Sequence, residues 1–306
     1  MSGANAIAVR DFTPADAVAV SELFLSVYGE NYVYPDVYLP SMIRERNANG
    51  HWRSCVASLD GLIVGHALLS IDPSEPGLAE LAMNVVHPCA RGLGIATRLC
   101  EHLCAFARRS GLSTLTMKQV STHPHSQRLA RILGFRTTGL LLDYVASPFG
   151  LTGRESVVLG CLPLRSRPLP GVAFLGNGEL WLAMLAEAFG TVAVTSAPAG
   201  AAPMRISSHG KRIEVALDHV DAGVLDELVR LPRSRLVYVR LPIDQSLRES
   251  APRLRHAGYA PAGIVPAPQG QWHWLMQRGF EERELSLHCP IARCIHDEML
   301  RGSLTR

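Results

Sequence analysis

The chain has 306 residues, 47% of them hydrophobic and 19% charged, with a net charge of +3. That length suggests two domains, and that balance excludes a disordered chain or a coiled coil. No apolar run reaches the ~18 residues of a membrane span, no apolar signal core follows Met1 to Arg10, and no dense Lys/Arg cluster marks a nucleic-acid surface. The expectation is a cytoplasmic chain that meets neither membrane nor nucleic acid.

Strand-like and helix-like stretches alternate, which predicts a mixed α/β fold. A strand at 7–11 leads to Thr13-Pro14-Ala15-Asp16, a helix start with Thr as N-cap and an acid three residues on. The helix buries Val20, Leu23, Phe24 and Val27 and stops at Gly29. A tyrosine-rich loop, 31–40, precedes a short helix at 41–49. Strands at 52–59 and 62–71 flank Asp60-Gly61, a tight-hairpin dipeptide. A strand at 79–86, a helix at 94–110, a strand at 115–120, a helix at 125–133 and strands at 135–144 and 155–161 complete the first half.

Residues 163–170, with three prolines and two arginines, read as the domain boundary. The expected domains are therefore 1–163 and 164–306. The second half is expected to hold a helix at 179–189, a flexible Ala/Pro/Gly stretch at 196–203, a strand at 212–217 and a helix at 221–231. A strand at 236–241, a helix at 245–257, strands at 259–265 and 272–277 and a tail helix at 291–300 follow.

The cysteines, Cys55, Cys89, Cys100, Cys104, Cys161, Cys289 and Cys294, are odd in number and form no CxxC pair. They read as reduced thiols, and no metal site is expected. Lys118 and Lys211 are the only lysines, a scarcity read as compositional bias.

The segment from Val85 to Thr97 is the most informative. A strand runs into a glycine turn, and the turn runs directly into a helix. Backbone N–H groups at the positive end of a helix dipole cradle a pyrophosphate well. Gly92 and Gly94 allow close approach, and Arg91 adds a positive charge. The plain alternative is a tight connection.

Arg91, Gly94 and Ala96 fit [RQ]xxGx[GA], and with the order of elements over about residues 7 to 162 the first half resembles the GNAT acyltransferase superfamily. The resemblance implies acyl transfer, most often acetyl, from acetyl-CoA or another acyl-CoA to an amine on a small molecule or a protein. It places Arg91, Gly92, Leu93, Gly94, Ile95, Ala96 and Thr97 on the pyrophosphate, and the strand backbone around Met83, Val85 and Val86 on the pantetheine arm. Glu80 stands where many members hold a general base; the alternative is a solvent-facing or ion-paired strand residue. Tyr28, Tyr32, Tyr34 and Tyr38 fall on the expected acceptor wall.

The second family signature departs here. Gly134-Phe135 is present, but His123, Ser126 and Ala130 replace the usual Asn, Ala and Tyr, so the usual acid for the leaving thiolate is missing. Water, His123, His125 or a tyrosine from elsewhere could replace it. Two other readings stay open, a non-catalytic acyl-CoA-binding scaffold and an acyl-carrier-protein donor met by Arg108, Arg109, Arg128 and Arg131. The oligomeric state is open, with a homodimer as one arrangement.

The second half looks like a copy. Residues 126–139 align on 250–263 at an offset of 124, matching Gly134 with Gly258, Phe135 with Tyr259 and Gly139 with Gly263. At that offset Arg91, Gly92, Gly94 and Ala96 meet Val215, Ala216, Asp218 and Val220. The expectation is two GNAT-like domains in tandem, the second without an acyl-CoA site because Asp218 would cap the helix and repel phosphate.

Overall fold

The computed structural model describes residues 7–122, 124–147, 153–171, 180–193, 204–217, 220–244, 246–285 and 287–304. Strand β1 (Ala8–Asp11) pairs with β2 (Trp52–Leu59), and β2 turns at Asp60-Gly61 into β3 (Leu62–Ser70). Between β1 and β2 lie α1 (Ala17–Tyr28) and α2 (Pro40–Ala48). The start of α1 is built as its sequence demands. Asp16 accepts from Thr13 N at 2.8 Å and takes both guanidinium nitrogens of Arg10 at 2.7 Å. That arrangement drops the Asp16 carboxyl to about 2.

Next come β4 (Leu78–Val86), α3 (Ile95–Arg109), β5 (Thr114–Val120), α4 (Pro124–Ile132), β6 (Arg136–Ala146) and β7 (Arg154–Pro163). Residue parity assigns the faces. Cys55, Ala57, Ala67, Leu69, Ala79, Leu81 and Leu115 pack with α3, whereas Val56 and Leu68 pack with α1 and α2. Helices thus cover both faces of this half. Glu80 and Lys118 carry the opposite parity to their α3-facing neighbours and lie on the α1/α2 face.

The second half holds β8 (Leu169–Pro170), α5 (Leu180–Phe189), β9 (Thr191–Val192), β10 (Met204–His209), β11 (Arg212–Leu217), α6 (Ala222–Arg230), β12 (Leu236–Pro242), α7 (Leu247–His256), β13 (Ala260–Pro266), β14 (Trp272–Arg278) and α8 (Pro290–Leu304). Among the described residues the large sheet has twelve strands in the order β1-β2-β3-β4-β5-β7-β6-β13-β14-β12-β11-β10. The run β3-β4-β5-β7-β6 therefore recurs in mirror order as β10-β11-β12-β14-β13. The parallel pair β4/β5 has its counterpart in β11/β12.

The two runs meet at β6 and β13, where Gly139 registers with Gly263. These are the two glycines that the sequence offset aligned. A Cβ on Gly263 would lie 2.3 Å from Thr138 O and 2.4 Å from Gly139 Cα, so the backbones touch where only glycine fits. Fully buried Gln277 extends the junction: its amide donates to Leu140 O and accepts from Leu142 N at 2.9 Å, as a missing strand residue would. One core cluster takes Leu140, Leu142 and Val158 from the first half together with Leu185, Val239, Ile264 and Ile295 from the second.

Several expectations change. The stretch at 163–170 is a packed strap: Arg167, 4% exposed, donates to Thr114 Oγ1 at 2.9 Å, to Gln271 O at 2.6 Å and to Ala267 O, and lies against the Trp272 ring. Its charge finds carbonyl partners from the second half, so the proline-rich run is held on both sides. Strand β10 escaped the sequence reading because its residues, Met-Arg-Ile-Ser-Ser-His, are mostly exposed and show no apolar alternation. The Ala/Pro/Gly stretch at 196–203 lies outside the described residues, as does Asp218.

Candidate active site

Strand β4 does not stay zipped to β5. The two pair only from Leu78–Glu80 to Thr114–Thr116, yet β4 runs on to Val86 and β5 to Val120. Beyond Glu80 they diverge, and a bulge in β4 re-aims its residues. Met83 has φ +51°, and the register with β3 shifts between His66 and Leu68. The Met83 carbonyl meets His66 Nδ1 at 3.3 Å. Burial drops the fully enclosed His66 imidazole to about 4, so it is neutral at pH 7.

After Val86 a short 3-10 turn, Pro88–Ala90, leads to Gly92 (φ +81°) and Gly94 (φ +72°), the N-cap of α3. Both glycines are needed for their left-handed backbone, and no atom lies within 4 Å of where their Cβ would stand. The start of α3 thus faces open space with no side chain capping it. The N–H groups of a first helical turn have no partner within the helix. Arg91, Gly92, Leu93 and Gly94 are exposed, Ala96 and Thr97 are half-buried, and Ile95 is a core anchor. Arg91 donates weakly back to Val86 O at 3.4 Å, which holds its charge over the turn. Val85 is buried under α1; Met83 and Val86 are half-buried.

The second half treats the same connection differently. Eight residues, 87–94, separate β4 from α3, but only four, 218–221, separate β11 from α6. The gapless alignment fails here, and the cap is Asp221, not Asp218. Its Oδ1 accepts from Val224 N at 2.8 Å and fills the helix N-terminus. Strand β11 also stays paired with β12 over Arg212–Ala216, with no divergence.

Glu80 lies at the mouth of the β4/β5 divergence, and its Oε2 bonds Lys118 Nζ at 2.6 Å. Burial works against the lysine charge, but the adjacent carboxylate outweighs it and lifts Lys118 above its ordinary range. One of only two lysines therefore sits beside the candidate base. Parity could have found it, because Thr116 pairs with Glu80 and Lys118 follows on the same face of β5.

The pair opens into a cavity of about 290 Å³ between the halves. Tyr144 contributes from β6, Glu214 from β11, and Tyr238 and Arg240 from β12. In a flat sheet, β12 would lie six strand spacings from β4, or roughly 29 Å at ~4.8 Å each. Yet Glu75, just before β4, bonds Arg240 at 3.2 Å, and Tyr144 OH bonds Glu214 Oε1 at 3.2 Å. The sheet curls, and its two arms face each other across the cavity. Tyr144 also lies under the Arg212 guanidinium, 4.0 Å from its ring centroid. None of these second-half residues was found from sequence, because each is an ordinary strand residue until the curl brings it inward.

The four tyrosines lie near one another, but none of them lines the cavity beside Glu80 and Lys118. Tyr28, Tyr32 and Phe24 form a ring stack with centroids 4.8–6.1 Å apart, and Tyr34 joins at 6.1 Å from Tyr32. Burial raises the Tyr32 hydroxyl pKa, and Glu80 adds to the rise; Tyr34 in turn lies within electrostatic reach of Lys118. Tyr38 is a clamp: its hydroxyl donates to Gly29 O at 2.7 Å and accepts from Tyr32 N at 2.8 Å. His123 lies outside the described residues. His125 is exposed on the first turn of α4 and does not line the cavity with Glu80. Ala130, where the family acid would stand, is buried in the α3-side core. Trp272 and Trp274 are buried against Phe189 and Trp181.

Residues 18–135 match the model of the acetyltransferase (GNAT) family. Solved structures of similar fold include the ribosomal-protein-S18-alanine N-acetyltransferase from Escherichia coli, at 18% identity over 52% of this chain and 94% of that one (TM-score 0.44). A ribosomal-protein-alanine N-acetyltransferase from Brucella melitensis matches at 23% over 51% and 99% (TM-score 0.44). A phosphinothricin acetyltransferase from Sinorhizobium meliloti, solved in complex with AcCoA, matches at 23% over 51% and 88% (TM-score 0.43).

Proposed function

Residues 18–135 form a domain of the GNAT acetyltransferase family, and on that premise we propose that the protein transfers an acyl group, most simply acetyl, from acyl-CoA to an amine. The observation that carries this reading is the open connection from Val86 to Ile95. Two left-handed glycines, an uncapped helix N-terminus and Arg91 form a cradle for pyrophosphate. The free flank of β4 beyond Glu80 supplies backbone groups for the pantetheine arm.

The amine nitrogen attacks the thioester carbonyl carbon, with no acyl-enzyme. A C–N bond forms and the C–S bond breaks. Glu80 takes the proton lost by the amine, directly or through water. β4 backbone near Val85 polarises the carbonyl as charge develops on its oxygen. Thiolate leaves and is protonated from water; a thiol of ordinary pKa near 8.5 needs no strong acid, consistent with alanine at position 130.

The second half is read as a degenerate copy, with domain limits of 1–163 and 164–306. Asp221 fills its helix terminus, its β11/β12 pair stays closed, and it contributes one wall of the acceptor chamber. Calorimetric titration of acetyl-CoA, with ATP as control, tests the whole reading. One site per chain is expected, weakened at least tenfold by Arg91→Glu. Two sites per chain would overturn the degenerate-copy reading. No binding would overturn acyl-CoA as donor.

A further inference from the structure

The chamber restricts the acceptor more than the family does. Its volume, about 290 Å³, lies at the small end of the ~300–1,000 Å³ range of sites that enclose small ligands. At ~30 Å³ per water it holds about ten water-sized groups. Its walls belong to two halves joined at the Gly139–Gly263 contact, and Glu75 bonds Arg240 from one half to the other.

Its lining carries four carboxylates, Asp72, Glu75, Glu80 and Glu214, and two cations, Lys118 and Arg240, and each cation touches one of the carboxylates. Glu80 and Lys118 touch at 2.6 Å, and both border the cavity. An ammonium has three donors; among the described hydrogen bonds Lys118 gives one, to Glu80. Arg240 adds a second cation on the same lining, with Nη1 on Glu75. At the Glu80–Lys118 pair, a purely cationic ligand bound to Glu80 would meet the Lys118 ammonium. A purely anionic one would meet Glu80. A molecule with an amine and a carboxylate two bonds apart replaces the Glu80–Lys118 bridge with two bridges of its own.

We infer that the acceptor is a small zwitterion of the free α-amino-acid type, its amine on Glu80, its carboxylate on Lys118, and its side chain toward Tyr144 and Tyr238. This rests on the acyl-transfer reading. It also disfavours a polypeptide N-terminus, whose neighbouring group is a neutral amide.

The test offers the wild-type protein acetyl-CoA with each standard amino acid and quantifies the acetylated product by chromatography. Every amino acid accepted is compared with its methyl ester, its decarboxylated amine and a tripeptide beginning with it. The free amino acid is expected to show at least tenfold higher kcat/KM than all three. Lys118→Met should raise KM for the amino acid at least tenfold and change that for the decarboxylated amine less, with acetyl-CoA binding retained. Equal or better use of the amine, ester or tripeptide overturns the inference. So does acetyl-CoA binding at one site with no amino acid acetylated, which leaves the acyl-CoA reading standing. Loss of acetyl-CoA binding by the wild type would instead overturn both.

Discussion

The two halves make the same strand-to-helix connection in opposite ways. In the first, eight residues with two left-handed glycines lift the chain clear of α3 and leave its N-terminus uncapped. In the second, four residues suffice, and Asp221 closes the helix end with its own carboxylate. The flanking strands follow suit: β4 leaves β5 after Glu80, whereas β11 stays on β12. One topology thus yields either an open cleft or a plain structural connection, and the choice lies in loop length, the cap residue and one bulge.

The largest effect should come from the candidate base. Glu80→Gln should lower turnover by about 10²-fold or more, while acetyl-CoA titration stays unchanged. Unchanged turnover would remove Glu80 from the chemistry. The junction is next. Gly263→Val drives a Cβ into Thr138 O and Gly139 Cα, so a loss of about 3 kcal/mol is expected in urea denaturation. Gly270→Val, at φ +80° but with open space around it, should cost distinctly less and isolates the backbone part.

A pH effect of similar or smaller size belongs to His66. Its folded pKa, about 4, lies below the ordinary 6.5. The folded state therefore binds fewer protons, and the stability is fully present above pH 6.5. It is lost as pH falls toward 4, by on the order of 2–3 kcal/mol at ~1.4 kcal/mol per unit. His66→Gln should flatten the melting temperature across that window; an unchanged slope would assign the acid sensitivity elsewhere. The smallest effect comes from exchanging the caps. Gly94→Asp should weaken acetyl-CoA at least tenfold by placing a carboxylate in the proposed phosphate cradle. Asp221→Ala should cost about 1 kcal/mol of stability and leave acetyl-CoA binding unchanged.

Much of this was legible in the chain, because it is written in local rules. The Thr13–Asp16 helix start, the Asp60-Gly61 hairpin and the glycines before α3 each act through neighbours a few residues away. The alignment of Gly139 with Gly263 was legible too, but not that the two would register with each other. What stayed hidden depends on the curl of the sheet. Glu214, Tyr238 and Arg240 reach Glu80, Lys118 and Tyr144 only when strands six spacings apart turn to face each other, and no sequence period encodes that. The burial of Arg167 stayed hidden for a related reason: its partners, the carbonyls of Ala267 and Gln271, lie about a hundred residues away.

The narrow junction between β6 and β13 has a consequence for any attempt to divide the protein. Each of these strands ends its own half of the sheet, so cutting between the halves would bare one lateral row of N–H and C=O groups on either piece. Gln277 and the Tyr238 hydroxyl now occupy part of that row. Without them, β6 becomes a template for strand addition by another copy. Residues 1–163 alone are thus expected to self-associate, and each half acts as the other's protection against aggregation.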